Sequence, residues 1–287
     1  MWDPIKGIAQ AISLSVYPWQ KVLMAMIQTA FDVSYDHPRS RFLVMAGFLS
    51  SAEEWVEFDG KWRKRLADDG LPYFHMTAFA HCGTHPQKPF DKTWIGKEER
   101  RKALIRDLLN ITLDHAYYKF AVVVQKDAFD NLTPDIRAAQ LGGTQLAMAG
   151  SFIVGLVANW KKIENYQTKP EYFFEDGDID KGTLMKVIKD KTGADPIFRP
   201  KVDDPDKGVV TFTPLQAADI FAYEVKQVAD EIGHILPMDF RFRFPYTQLH
   251  KIRGEPRIFN LDGASVAEML GRVDQYFIEN PLGKNVQ

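Results

Sequence analysis

The stretch FDVSYD, residues 31–36, closes an apolar run that begins at Val22, and the fold of the chain can be inferred outward from it. An apolar run that ends in acidic residues and a His-Pro pair predicts a buried strand entering a turn. Side chains two residues apart on a strand share a face, so Asp32, Ser34 and Asp36 are expected to point one way. A carboxylate on a buried strand is costly unless it is paired or binds a cation. Asp32 is therefore the first candidate for a functional residue.

The composition is that of an ordinary folded chain: 287 residues, of which 45% are hydrophobic and 26% are charged. This length favours one α/β domain over residues 21–287, preceded by an N-terminal extension, residues 1–20, with weak helical spacing. The net charge is −2 and the pI is about 6.4. Because there is no overall basic field, any contact with nucleic acid must come from local patches.

Two further observations bear on the compartment. The first twenty residues lack a basic segment followed by an apolar one, and Cys82 is the single cysteine, so we expect a cytoplasmic protein. The segment Ala138–Trp160 carries no charge and is about long enough to span a membrane. Its glycines and amide side chains favour instead a helix buried against a sheet, so we expect no membrane partner.

Periodicity along the chain predicts strands that alternate with helices after an initial hairpin. The strand from Val22 to Val33 is followed by Arg41–Leu49, its expected antiparallel partner, and then by a helix capped by Ser51. Tyr117–Gln125 has the strongest strand signal, and Glu171–Phe174 is a short aromatic strand. This pattern predicts a mixed β-sheet flanked by helices.

Acidic residues recur at the edges of the apolar elements. Glu175 and Asp176 follow the strand at 171–174, and Asp219 lies within the apolar helix predicted over 215–232, on the same side as Gln216 and Tyr223. Converging carboxylates of this kind bind Mg²⁺ or Mn²⁺ in two-metal sites. Two other interpretations stay open: Asp219 is satisfied by a neighbouring backbone group or arginine, and the acidic run at 175–178 is a solvated turn.

These motifs resemble the domain of unknown function 3800 family of bacterial and phage proteins, in the same order, over about residues 22–232. The matching elements are the acidic strand end at 31–36, Phe74-His75, Phe174-Glu175-Asp176 and the LQAAD helix at 215–219 followed by Tyr223. The resemblance implies a ribonuclease-H-like fold and a metal-dependent nuclease. Asp32, Glu175 and Asp219 would then converge on Mg²⁺ or Mn²⁺, with Asp36 and Asp176 as further ligands and His75 as a catalytic residue.

The sequence departs from the family pattern at two positions. Val33 stands where the family usually has Glu, and Tyr35 stands where it has Gly. Strand alternation places residue 33 on the face opposite Asp32, so its change need not remove a ligand. A tyrosine at 35 can reshape the site, which leaves open a non-catalytic protein that binds nucleic acid or another protein.

Two other groups of residues have possible binding roles. His75, His81, Cys82 and His85 are all potential zinc ligands, but their spacing matches no standard closed site, so we expect the last three to be loop residues. The basic residues Arg241, Arg243, Lys251 and Arg253 lie in a stretch with interleaved aromatic residues, as in single-strand nucleic-acid binders. A half-buried strand with outward arginines would give the same pattern.

Overall fold

The computed structural model describes residues 27–34, 41–82, 89–177, 180–200, 202–203, 206, 208–232, 243–254 and 257–259. The predicted N-terminal extension, residues 1–20, lies outside these ranges. The described strands are β1 (Ile27–Ser34), β2 (Phe42–Ser51), β3 (Tyr118–Gln125), β4 (Glu171–Glu175), β5 (Ile197–Arg199) and β6 (Arg257–Phe259). The described α-helices are α1 (Ala52–Asp68), α2 (Met76–Ala80), α3 (Glu98–His115), α4 (Lys126–Asp130), α5 (Pro134–Leu141), α6 (Gln145–Ile163), α7 (Lys181–Thr192), α8 (Pro214–Ile232) and α9 (Phe244–Leu249).

The six strands form one mixed sheet in the order β5-β4-β1-β2-β3-β6. β2 pairs antiparallel with both β1 and β3, as expected for a hairpin that is extended by a third strand. β4 pairs with β1 in parallel, and β5 pairs with β4 in parallel. The predicted mixed α/β sheet and the pairing of the first two strands are therefore confirmed.

Helices cover both faces of this sheet. Successive side chains of a strand point to opposite faces, and in the central strands both sets are apolar, so each face has to be buried. On one face, which we call the α8 face, Ala30, Ala46 and Phe48 pack with residues of α1, α3 and α8. On the opposite face, Phe31 and Val122 pack with residues of α6 and α7. The sheet is the middle layer of a single α/β domain.

Local sequence signals explain where several helices begin. Ser51 caps α1, because its hydroxyl oxygen accepts a hydrogen bond from the Glu54 amide at 3.2 Å. The uncharged run 138–160, predicted as one helix, is divided between α5 and α6. Gly142 and Gly143 separate them with φ angles of 72° and 83°, which favour glycine, and Thr144 caps α6. No helix within the described ranges is long and apolar enough to cross a membrane.

Gly47 marks the closest approach between β2 and β1. A Cβ atom at this position would overlap the carbonyl oxygen of Ala30 and would also press on the Phe31 ring. Both obstacles lie in the buried centre of the sheet, where neither backbone nor ring can move away cheaply. A glycine is therefore required here by space rather than by its φ angle.

We expect Gly47→Ala to lower the free energy of unfolding by about 1–3 kcal/mol or more, because the added methyl group overpacks the sheet. Gly60 supplies the matched control, since it lies within α1 and a Cβ there would have no heavy atom within 4 Å. Gly60→Ala should raise stability by about 0.5–1 kcal/mol. Urea titration measures the free energy of unfolding of both variants. Equal changes at the two positions would contradict the close approach of β2 to β1 at Gly47.

Candidate functional site

Asp32 and Glu175 lie beside each other on neighbouring parallel strands. Phe31 of β1 pairs with Phe174 of β4, and Asp32 and Glu175 are the next residues on these two strands. Paired strands lie about 4.8 Å apart, so the two acidic residues are neighbours. Ala30 and Phe173 belong to the core of the α8 face, so alternation directs both carboxylates to that face. Asp32 is only 3% exposed. Val33 packs with the opposite core, as predicted.

Asp219 approaches the same face of the sheet from helix α8. The helix contacts β1 and β2 closely, and its residues Ala217 and Ile220 are part of the core on that face. Asp219 is 6% exposed. The structure therefore places the three predicted carboxylates on one side of the sheet, at the carboxyl ends of β1 and β4 and on the helix above.

The acidic residues that the structure describes do not form a closed metal cluster. Among the residues that the structure describes, no three His, Cys, Asp or Glu side chains are grouped closely enough to hold a metal ion. Asp36 and Asp178 lie outside the described residues. Asp176 forms an ion pair with Lys181 at 2.6 Å and is nearly half exposed, which favours the solvated-turn interpretation of that residue. The predicted convergence of Asp32, Glu175 and Asp219 stays a prediction.

Helix α8 also holds the chain around His75. Asp219 Oδ2 accepts a hydrogen bond from the Met76 amide at 2.7 Å. One turn earlier, Gln216 Oε1 accepts a hydrogen bond from the Phe74 amide at 2.8 Å. The alternative that Asp219 binds a neighbouring backbone group is thus correct for one of its two oxygens. Gln216 was predicted only to share a face with Asp219, and its hydrogen-bonding role was missed.

The potential zinc ligands that the structure describes are spread along the loop and helix that follow α1. His75 is the N-cap residue of the short helix α2, and His81 is its C-cap. The thiol of Cys82 lies 3.9 Å from the carbonyl oxygen of Asp91, and burial raises its pKa. His85 lies outside the described residues. The described members of this group do not form a metal site.

The basic residues of the predicted nucleic-acid patch are largely engaged in the described structure. Arg243 is the N-cap residue of helix α9, so the half-buried strand does not form here, and its guanidinium lies 5.4 Å above the Tyr223 ring. Arg253 forms an ion pair with Glu164 at 2.6 Å. The ammonium group of Lys251 donates a hydrogen bond to Gln248. Arg241 lies outside the described residues.

Glu224 is a buried carboxyl group that the sequence interpretation missed. It is completely buried, and neither of its oxygens has a hydrogen-bond partner among the described residues. Burial raises its pKa to about 7, and this is opposed by Arg243, whose Nη2 lies 3.3 Å from Oε1. Its position in the apolar stripe formed by Ala217, Phe221 and Val228 was the available signal.

We expect the stability of the protein to fall as the pH rises from about 4.5 to 7, because the folded state binds a proton at Glu224 that the unfolded state releases. Above this window the cost of the buried charge is about 3 kcal/mol, from the size of the pKa shift. Glu224→Gln should remove this pH dependence. The free energy of unfolding of the variant, relative to that of the wild type, should therefore rise between pH 5 and pH 8.

The measurement is the free energy of unfolding in urea at several pH values. Glu231→Gln is the matched control, since Glu231 lies on the same helix and is exposed. Its stability difference from the wild type should stay nearly constant over this range. A Glu224→Gln difference that is also constant with pH would show that Glu224 does not take up a proton on folding.

No family model matches this sequence, and no curated protein sequence matches it. The candidate site is therefore interpreted from the chemistry of its own residues. Its central feature is a buried aspartate beside a second carboxylate at the ends of two parallel strands, under a helix that carries a third.

Proposed function

We propose that this protein is a metal-dependent phosphodiester hydrolase, a nuclease, in which Asp32, Glu175 and Asp219 hold Mg²⁺ or Mn²⁺. The observation that carries the proposal is the adjacency of Asp32 and Glu175 on β1 and β4. Two neighbouring carboxylates repel each other, and the burial of Asp32 strengthens the repulsion. A divalent cation held by this pair would stabilise both carboxylates.

The donor set fits a hard cation. Mg²⁺ is usually held by one or two carboxylates together with water and substrate phosphate, so the Asp32–Glu175 pair is a sufficient core for such a site. Arg199 lies opposite Glu175 in the register of β4 and β5. Its guanidinium is suited to bind a phosphate group next to the cation. The oxygen donors also argue against zinc as the preferred ion.

The bound metal would activate a water molecule and stabilise the charge that develops on the phosphorus oxygens. The protein's own residues would have simpler tasks. Asp32 and Glu175 would orient the cation from the rigid sheet, and Asp219 would add negative charge from α8. His75, adjacent to the amide that Asp219 binds, would contact the phosphate or move a proton. No protein nucleophile is needed.

The sheet supports a ribonuclease-H-like fold as part of this proposal. Three antiparallel strands are continued on the β1 side by two parallel strands, and the acidic residues lie where β1 meets β4. The motif resemblance to the domain of unknown function 3800 family points the same way. Both analogies raise the expectation of a nuclease, and the acidic residues supply the chemistry that it needs.

With Mn²⁺ present, the protein should cleave DNA or RNA, and EDTA should abolish cleavage. Asp32→Asn and Asp219→Asn should each lower the rate by about 100-fold or more, because the amide loses the charge that attracts the cation. The amide side chain that Asp219→Asn introduces keeps an oxygen that can accept the Met76 hydrogen bond, so the folded state should be retained. Cleavage rates and unfolding curves should be measured on the same preparations.

Asp195→Asn is the matched control, since Asp195 is exposed, pairs with Lys189 and lies away from the acidic pair. Its cleavage rate should equal that of the wild type. If no nucleic acid is cleaved and no Mn²⁺ is bound, the hydrolase proposal fails. Affinity for nucleic acid or a protein partner that survives EDTA and Asp219→Asn would instead identify a non-catalytic binding protein.

A further inference from the structure

Two side chains of α8 bind the backbone on both sides of His75. The amides of Phe74 and Met76 donate to Gln216 Oε1 at 2.8 Å and to Asp219 Oδ2 at 2.7 Å. His75 itself is extended, with φ −142° and ψ 118°. In an extended chain, alternate amides point the same way and are about 6.6 Å apart. Helix residues three apart are separated by about 5–6 Å, so the two spacings match.

The Gln216 oxygen is held in place by a third element. It accepts a second hydrogen bond, from Trp62 Nε1 at 2.9 Å, and Trp62 lies fully buried in α1. Gln216 is itself only 1% exposed. The amide oxygen therefore has a fixed position relative to both α1 and α8, which makes it a rigid anchor for the Phe74 amide.

Helix α8 also contributes to the start of helix α2, which follows His75. The residue stands at the N-cap of α2, where Ser, Asp or Asn is preferred because the side chain accepts an amide hydrogen bond. His75 makes no such side-chain capping bond. The Asp219 carboxylate accepts the amide of Met76, the first residue of α2, which a capping side chain at position 75 would not bind. One of the unpaired amides at the start of α2 is therefore satisfied by helix α8.

We infer that Gln216 is a positioning residue, which together with Asp219 clamps residues 74–76 and fixes His75 beside the acidic site. The use of His75 by the site rests on the proposed function, whereas the clamp can be tested without any activity. Gln216→Met removes the acceptor oxygen and keeps the side-chain length. Gln216→Glu keeps an acceptor oxygen in the same place and should rescue the clamp, because burial beside Asp219 favours the neutral acid over a second charge.

Hydrogen exchange measured by NMR tests the clamp directly. In Gln216→Met the Phe74 amide should exchange about tenfold faster, as expected for one lost hydrogen bond, and the His75 ring signals should shift or broaden. In Gln216→Glu both should stay close to the wild type. Val225→Ala is the control for general destabilisation, because Val225 is buried on the same helix. This variant should leave the exchange rate of the Phe74 amide, relative to the rates of other core amides, unchanged.

Each outcome separates the clamp from the nuclease proposal. Unchanged Phe74 exchange in Gln216→Met would overturn the clamp. Faster exchange with unmoved His75 ring signals would overturn the positioning role and leave Gln216 as a purely structural contact. If the exchange and ring signals change as expected, the clamp stands even where the wild type cleaves no nucleic acid. If the wild type does cleave, Gln216→Met should lower kcat more than it changes KM.

Discussion

The packing of α8 on β1 and β2 is the contact on which the candidate site depends. Phe221 stacks on Phe48 with ring centroids 5.3 Å apart, and small residues at Ala217, Ala218 and Ala222 let the helix approach the sheet. This close approach places Asp219 above the face that carries Asp32 and Glu175. The same helix then reaches outward to residues 74–76. A displacement of α8 would therefore disturb the acidic residues and His75 together.

Much of the fold could be predicted because its signals are local. Alternation and the turn after residue 36 predicted the β1–β2 hairpin, and the Ser51 cap and the aromatic strand near 118–125 were visible in a few adjacent residues. The break at Gly142 and Gly143 was missed because an uncharged run looks continuous whether or not a helix ends within it. The pairing of the first two strands and a mixed sheet could be predicted, but the full strand order could not.

The candidate site was less predictable, because its contacts join distant parts of the chain. The Phe74 and Met76 hydrogen bonds cross 142 and 143 residues of sequence, and no local pattern encodes a partner so far away. Glu224 shows a different difficulty. An acid on a helix usually marks a solvated face, yet this one falls within the buried stripe, where the packing of the whole domain decides its environment.

The described part of the sheet has β5 at one edge, and this strand is only three residues long. An edge strand offers unpaired amide and carbonyl groups to other chains, and a long flat edge is a template for intermolecular strand addition. Three residues present few such groups. At the β5 edge, backbone pairing with another molecule would therefore form few hydrogen bonds, and association there would depend on side-chain contacts.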